Sequence, residues 1–112
     1  MGEFDKANSD HVHTLMDRGS QLDDRVLAAC RLGADDSVRA RAALVAVAQM
    51  HDTPAPLASA IGRSLGQISF RRSEELDDLV IAEVSSDAYI AYDDELARLL
   101  AASPQVKMRR AF

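Results

Sequence analysis

An all-α fold, a compact bundle of about five helices, follows from three features of this sequence: its length, its aliphatic but aromatic-poor composition, and the helical spacing of its apolar residues. The chain has 112 residues, the size of one domain with one core. Apolar residues make up 47% of it and aromatic ones only 4%, with no Trp, so the interior must come from Ala, Leu, Val and Ile. Those side chains favour close helix packing over sheets, which draw on aromatic and β-branched residues. The single Cys30 excludes an internal disulfide and, lying in an apolar run, reads as a small core residue. No stretch approaches the ~20 apolar residues that span a bilayer, and the polar start lacks the apolar centre of a signal peptide. A cytoplasmic protein is the expectation. The organisation expected is an N-terminal segment over 1–19, frayed and tag-like at Gly2 to Phe4, one helical domain over 20–103, and a basic tail over 104–112.

Each helix has its own signals. Val12, Leu15 and Met16 can line one short docking helix. Gly19-Ser20 supplies a stop and a cap, after which Leu22, Val26, Leu27 and Cys30 recur at helical spacing until Gly33. Asp35 or Asp36 is placed to cap the next helix and to put negative charge at its positive end. Within that helix AALVAVA, Ala42 to Ala48, has no polar residue, which predicts a central helix enclosed by its neighbours. Asp52-Thr53-Pro54-Ala55-Pro56 is a compact connection in which Thr53 can cap and a proline suits the first helical turn. Leu57, Ile61, Leu65 and Ile68 mark one face of the following helix, and Ala58, Gly62 and Gly66 form a second stripe. Glycine costs roughly 1 kcal/mol against alanine inside a helix, so two on one stripe predict a second backbone approaching there. Ser73 can cap a further segment with Leu76, Leu79, Val80 and Val84 on one face. LVIAEV alone also suits a strand, but the acids around Leu76 favour helix. Ser85-Ser86-Asp87 then opens a last helix through Tyr89, Tyr92, Leu96, Leu99 and Leu100 to about Ala102, before Pro104.

Residues 35–52, DDSVRARAALVAVAQMHD, resemble a HEAT-like repeat, the helical hairpin of α-solenoids, through Asp36, Val38, Arg39, Ala42, Ala43 and Leu44. The resemblance spans roughly 21–70 and implies a short α-solenoid of α-α hairpins in which Arg39 joins one repeat to the next. LASAIGRSLGQI is similar to a phrase of small bacterial HEAT-like proteins, some of them immunity proteins that neutralise toxins used between competing cells. The Asp-x-Val-Arg pattern has no second clear copy, and a stable solenoid usually needs three repeats. A compact bundle with divergent ends as caps therefore fits best.

Little in the chain spells out chemistry. Asp10, His11, His13 and Asp17 are metal-ligand types, but the two histidines stand two apart and fall on different sides of a helix. His51-Asp52 pairs an imidazole with an acid, without the nucleophile and oxyanion donors that hydrolysis needs. IGRSLGQ lacks the Gly-Lys-Ser/Thr ending of a phosphate loop. A non-enzymatic protein without metal or cofactor is the expectation.

Charge carries more information. From Ser73 to Ala97 there are nine acids and no Lys or Arg, whereas the rest of the chain holds nine acids against thirteen bases. The net charge of −5 thus hides a segregated distribution. Helix N-terminal charge and a solvated face account for part of it; an acidic surface for a basic protein accounts for it as well, since complementary fields raise association rate and specificity. The expected contacts are Glu74, Glu75, Asp77, Asp78, Asp87, Asp93, Asp94 and Glu95, with Tyr89 and Tyr92 as aromatic anchors or as lids on the core. The leading expectation is an immunity protein or inhibitor that blocks a basic toxin such as a nuclease, whose own need to bind phosphate makes it cationic. The alternative is a regulatory or nucleic-acid-associated domain contacting phosphates through Arg63, Arg71, Arg72 and the tail residues Lys107, Arg109 and Arg110. An enzyme built on His51 ranks last.

Overall fold

A computed structural model describes residues 10–103 and the backbone of 109–110. The expected all-α class holds: most of the described residues lie in helices, α1 over 10–16, α2 (Leu22–Leu32), α3 (Val38–Ala48), α4 (Ala55–Arg72), α5 (Asp78–Glu83) and α6 (Ser86–Ala102). Two two-residue strands, β1 (Glu74–Glu75) and β2 (Arg109–Arg110), pair in parallel. The radius of gyration is 13.4 Å, close to the ~13 Å of a compact 100-residue domain. Residues 1–9, 104–108 and 111–112, which include the tag-like start and most of the tail, lie outside the described residues.

The enclosed helix is α4, not α3. Alpha-helix α4 makes its most extensive contact with α6 and further contacts with α2, α3 and β1. Both of its expected stripes are buried, Leu57, Ile61, Leu65 and Ile68 on one and Ala58, Gly62 and Gly66 on the other. The apolar run of α3 is buried on one side only, through Ala40, Ala43, Leu44, Val47 and Ala48, while Ala42 is exposed and Val38 is 79% exposed. Alanines and valines make a helix look apolar all round without obliging it to be covered all round, because small side chains leave little apolar area in water.

The small-residue stripe of α4 does what its composition predicts. A Cβ on Gly62 would overlap the carbonyl oxygen of Ala88, and one on Gly66 would lie 3.1 Å from the carbonyl oxygen of Tyr92. Two glycines one turn apart thus face two α6 carbonyls one turn apart, and α6 approaches α4 backbone to backbone.

Alpha-helix α2 reverses the expected face. Its buried residues are Arg25, Ala28, Ala29 and Leu32, while Cys30 is exposed, Leu22 is exposed, Leu27 is 52% exposed and Val26 is half-buried. Cys30 is therefore not a core residue. The inner face packs its alanines toward α4, and Ser64 of α4 donates a hydrogen bond to the Ala29 carbonyl at 2.7 Å. Arg25 is buried because its Nε and Nη2 both donate to the Leu15 carbonyl, at 3.1 and 2.9 Å. That contact fixes α1, and fully buried Leu15 extends the core N-terminal of residue 20.

The caps differ in detail from the expected ones. Ser37 caps α3, accepting from the Ala40 amide, while Asp35 accepts from the Ser37 amide one step earlier. Thr53 does not cap α4; its hydroxyl donates to the Val47 carbonyl at 2.7 Å, and Pro54 takes the N-cap position with Pro56 in the first turn. Ser20 donates to Asp17, and Gln21 stands at the α2 N-cap. Ser73 is no N-cap either: it ends α4 in the left-handed conformation, φ 54° and ψ 38°. The helix expected to begin there is reduced to the short α5, capped by Asp77, whose carboxylate accepts from the Leu79 amide at 2.8 Å. Leu76 is buried outside any helix, and Leu79, expected on the inner face, is 80% exposed.

An arginine ties two connections of the fold together. Arg71 donates to the Asp36 carboxylate through Nε at 3.0 Å and Nη2 at 2.8 Å, and to the Gly33 carbonyl at 2.6 Å, tying the end of α4 to the α2–α3 connection. Arg39, the residue for which the HEAT-like resemblance implied that role, is exposed.

Candidate functional site

The acid-rich stretch folds into an extended bracket, a short helix and a long helix. Leaving α4 through the left-handed Ser73, the chain runs extended through β1, is pinned at Leu76, and enters α5 at the Asp77 cap. The pin is Tyr92: its hydroxyl accepts from the Leu76 amide at 2.9 Å and shares a 3.2 Å hydrogen bond with Ser69. Ser85 then caps α6, accepting from the Ala88 amide at 3.2 Å, and its own amide donates to the Ala48 carbonyl at 3.0 Å. The start of α6 is thereby locked to the end of α3.

Two of the ten expected contact residues are spent inside the molecule. Tyr92 is buried, and burial pushes its phenol above the ordinary value. Glu95 is 7% exposed; it accepts from Gln67 at 3.0 Å and from Arg98 through Nε at 3.0 Å and Nη2 at 2.9 Å. The Arg98 guanidinium holds its carboxyl below the usual carboxylate range, Gln67 adding to the effect and partial burial opposing it. Both belong to the α6 face that meets α4, Ala88, Tyr92, Glu95 and Leu96. Ala88, Tyr92 and Leu96 stand at four-residue spacing opposite the glycine stripe, which is the signal that would have placed Tyr92 and Glu95 inside.

Six of the seven remaining acids fall on three depressions. Glu75, Asp78 and Asp93 line a cleft of about 140 Å³ with Tyr89 and Ile81 at its wall. Asp87 and Asp94 line a groove of about 330 Å³ between α4 and α6, with Ile90 between them and Arg63 and Arg98 beside them. Asp77 borders an apolar groove of about 280 Å³ formed with Val38, Val45 and Val80. Glu74 lies 3.5 Å from Arg72. At ~100° per residue, Tyr89, Asp93, Ile90, Asp94 and Asp87 sweep one continuous arc of α6, opposite its buried face. That arc is both acidic and apolar, with Tyr89 42% and Ile90 56% exposed; on α5, Leu79 is exposed as well. Sequence reasoning placed Tyr89 here and missed Ile90 and Leu79.

Of the cations in the phosphate-binding alternative, Lys107 lies outside the described residues, and the three on α4 have partners or neighbours within the molecule. Arg71 is engaged by Asp36 and Gly33, Arg72 donates to the Asp36 carbonyl at 3.3 Å, and Arg63 lies in the α4–α6 groove. Asp52 pairs with Arg18 at 3.0 Å instead of orienting His51. Asp17 accepts from the Gly19 amide and from Ser20, which holds its carboxyl below the ordinary value, and among the described residues no three His, Cys, Asp or Glu are grouped to hold a metal ion. No described helix is long and apolar enough to cross a membrane. Comparison with protein-family models, with curated proteins and with solved structures finds no match.

Proposed function

We propose that this chain is a non-enzymatic binding protein whose acidic α5–α6 face takes one basic protein partner, and that it serves as an immunity protein or inhibitor of a cationic toxin such as a nuclease. The observation that carries the reading is the interleaving on α6 of exposed Tyr89 and Ile90 with exposed Asp87, Asp93 and Asp94, next to an α5 that exposes Leu79 and Asp78. A face that only solvates a helix needs no large apolar residues. An interface needs them, as desolvated anchors ringed by charge. Acids at the rim steer a cationic partner and suppress nucleic acid, which carries the opposite requirement. An inhibitor gains doubly from such a face, because the surface with which a nuclease holds phosphate is the one it must cover.

The test is capture of the partner from the source cells followed by kinetics. Asp87→Lys, Asp93→Lys and Asp94→Lys together should slow association with the captured protein at least about tenfold and flatten its salt dependence. Tyr89→Ala with Ile90→Ala should instead speed dissociation. A partner that is not basic, or association indifferent to the triple reversal, would refute the reading.

A further inference from the structure

β1 and β2 form the one strand pairing among the described residues, with Glu74 aligned to Arg109 and Glu75 to Arg110 in parallel. The main chain at two adjacent arginines is therefore paired with the main chain at two of the acids expected to meet a basic partner. The edge is well prepared. The left-handed Ser73 turns the chain out of α4, Tyr92 holds the Leu76 amide at 2.9 Å, and Asp77 caps α5 directly afterwards. Both ends of the bracket are fixed to the core, and its two central residues are left extended.

We infer that Glu74–Glu75 is a docking edge for an extended basic segment of a protein partner, bound by strand addition, and that Arg109–Arg110 occupies it as an internal competitor. The inference rests on the acidic-face reading above. Strand addition draws affinity from main-chain hydrogen bonds and specificity from the sequence of the added strand, and the strand in register with these two acids has the sequence Arg-Arg. A ladder of two residues is short enough to be displaced, yet a tethered competitor acts at an effective concentration on the order of millimolar. The tail thus screens out weak basic ligands and yields to a partner that also engages the α5–α6 arc.

The probe is a labelled peptide of residues 105–112, QVKMRRAF, titrated by fluorescence anisotropy into the full chain, into a chain ending at Ser103, and into a full-length Arg109→Glu, Arg110→Glu variant. The shortened chain retains every core residue from Leu15 to Leu96, and the double reversal keeps the whole length should shortening disturb folding. Both altered forms should bind the peptide at least about tenfold more tightly than the full chain. Binding should weaken with Glu74→Lys and Glu75→Lys, and with a peptide N-methylated at both arginines, which keeps the charge and removes the amide donors. Equal binding to all three forms, or none to either altered form, overturns the inference. Affinity for the captured partner that is unchanged by removal of 104–112 overturns the competitor and leaves the acidic face standing. A peptide still taken up by the shortened chain, with a partner indifferent to the Asp87, Asp93 and Asp94 reversals, overturns the acidic face and leaves the docking edge standing.

Discussion

Gly62 is the residue on which the packing of α4 against α6 turns. Alanine there would gain about 1 kcal/mol in helix preference, but its Cβ would overlap the Ala88 carbonyl oxygen, which belongs to backbone and cannot rotate away. Gly62→Ala is therefore expected to destabilise by about 1–3 kcal/mol in urea unfolding, the cost of overpacking, whereas a loosely packed glycine would give a gain. Glu95 makes a second residue-level prediction. Its folded-state carboxyl is held below the ordinary value, chiefly by Arg98, so the stabilisation is complete above the unfolded value and is lost as pH falls through the folded one. The stability difference between the natural chain and Glu95→Gln should accordingly shrink on acidification below the usual carboxylate range. A difference constant from neutral pH down to pH ~3 would mean that the charge on Glu95 contributes nothing.

At the scale of elements, α2 carries the sharpest contrast between the pattern in the sequence and the face that is used. Leu22, Val26, Leu27 and Cys30 share one side, and Arg25, Ala28, Ala29 and Leu32 share the other. Alanines allow the close approach to α4, and the buried guanidinium finds a carbonyl on α1, so the side that looks more polar is the one inside. Thermal melts can separate the two sides: Leu27→Lys should change stability by less than about 0.5 kcal/mol, and Leu32→Ala should cost about 2–5 kcal/mol. Reversed costs would place the other face inward. The segment after α4 has a related cause. Acids around Leu76 favour a helix N-terminus wherever one begins, and the left-handed Ser73 with the Tyr92 hydroxyl moves that beginning from Ser73 to Asp77.

For the molecule as a whole, the segregation of charge is a property of the chain, and its orientation is a property of the fold. Nine acids without a base between Ser73 and Ala97 ensure a negative region. Packing of α6 then withdraws Glu95 and Tyr92 and turns Asp87, Asp93 and Asp94 outward beside Tyr89 and Ile90. If that arc steers a cationic partner, association should slow steeply as added salt shortens the Debye length from ~10 Å to ~3 Å, while dissociation, governed by the apolar anchors, changes little.

Composition and periodicity by themselves determined the all-α class, the two stripes of α4, the close approach at Gly62 and Gly66, and the acidic stretch from Ser73 to Ala97. Each follows from local spacing or from residue totals, which are fixed before the chain folds. Tertiary structure alone decided that α4 and not α3 is enclosed, which side of α2 faces inward, that α5 is capped by Asp77, and which acids remain outside. Those choices depend on which backbone, hydroxyl or guanidinium lies across the contact. Ala88 opposite Gly62, Tyr92 beneath Leu76 and Glu95 against Gln67 are brought into place by α6, and only the packed molecule contains those pairings.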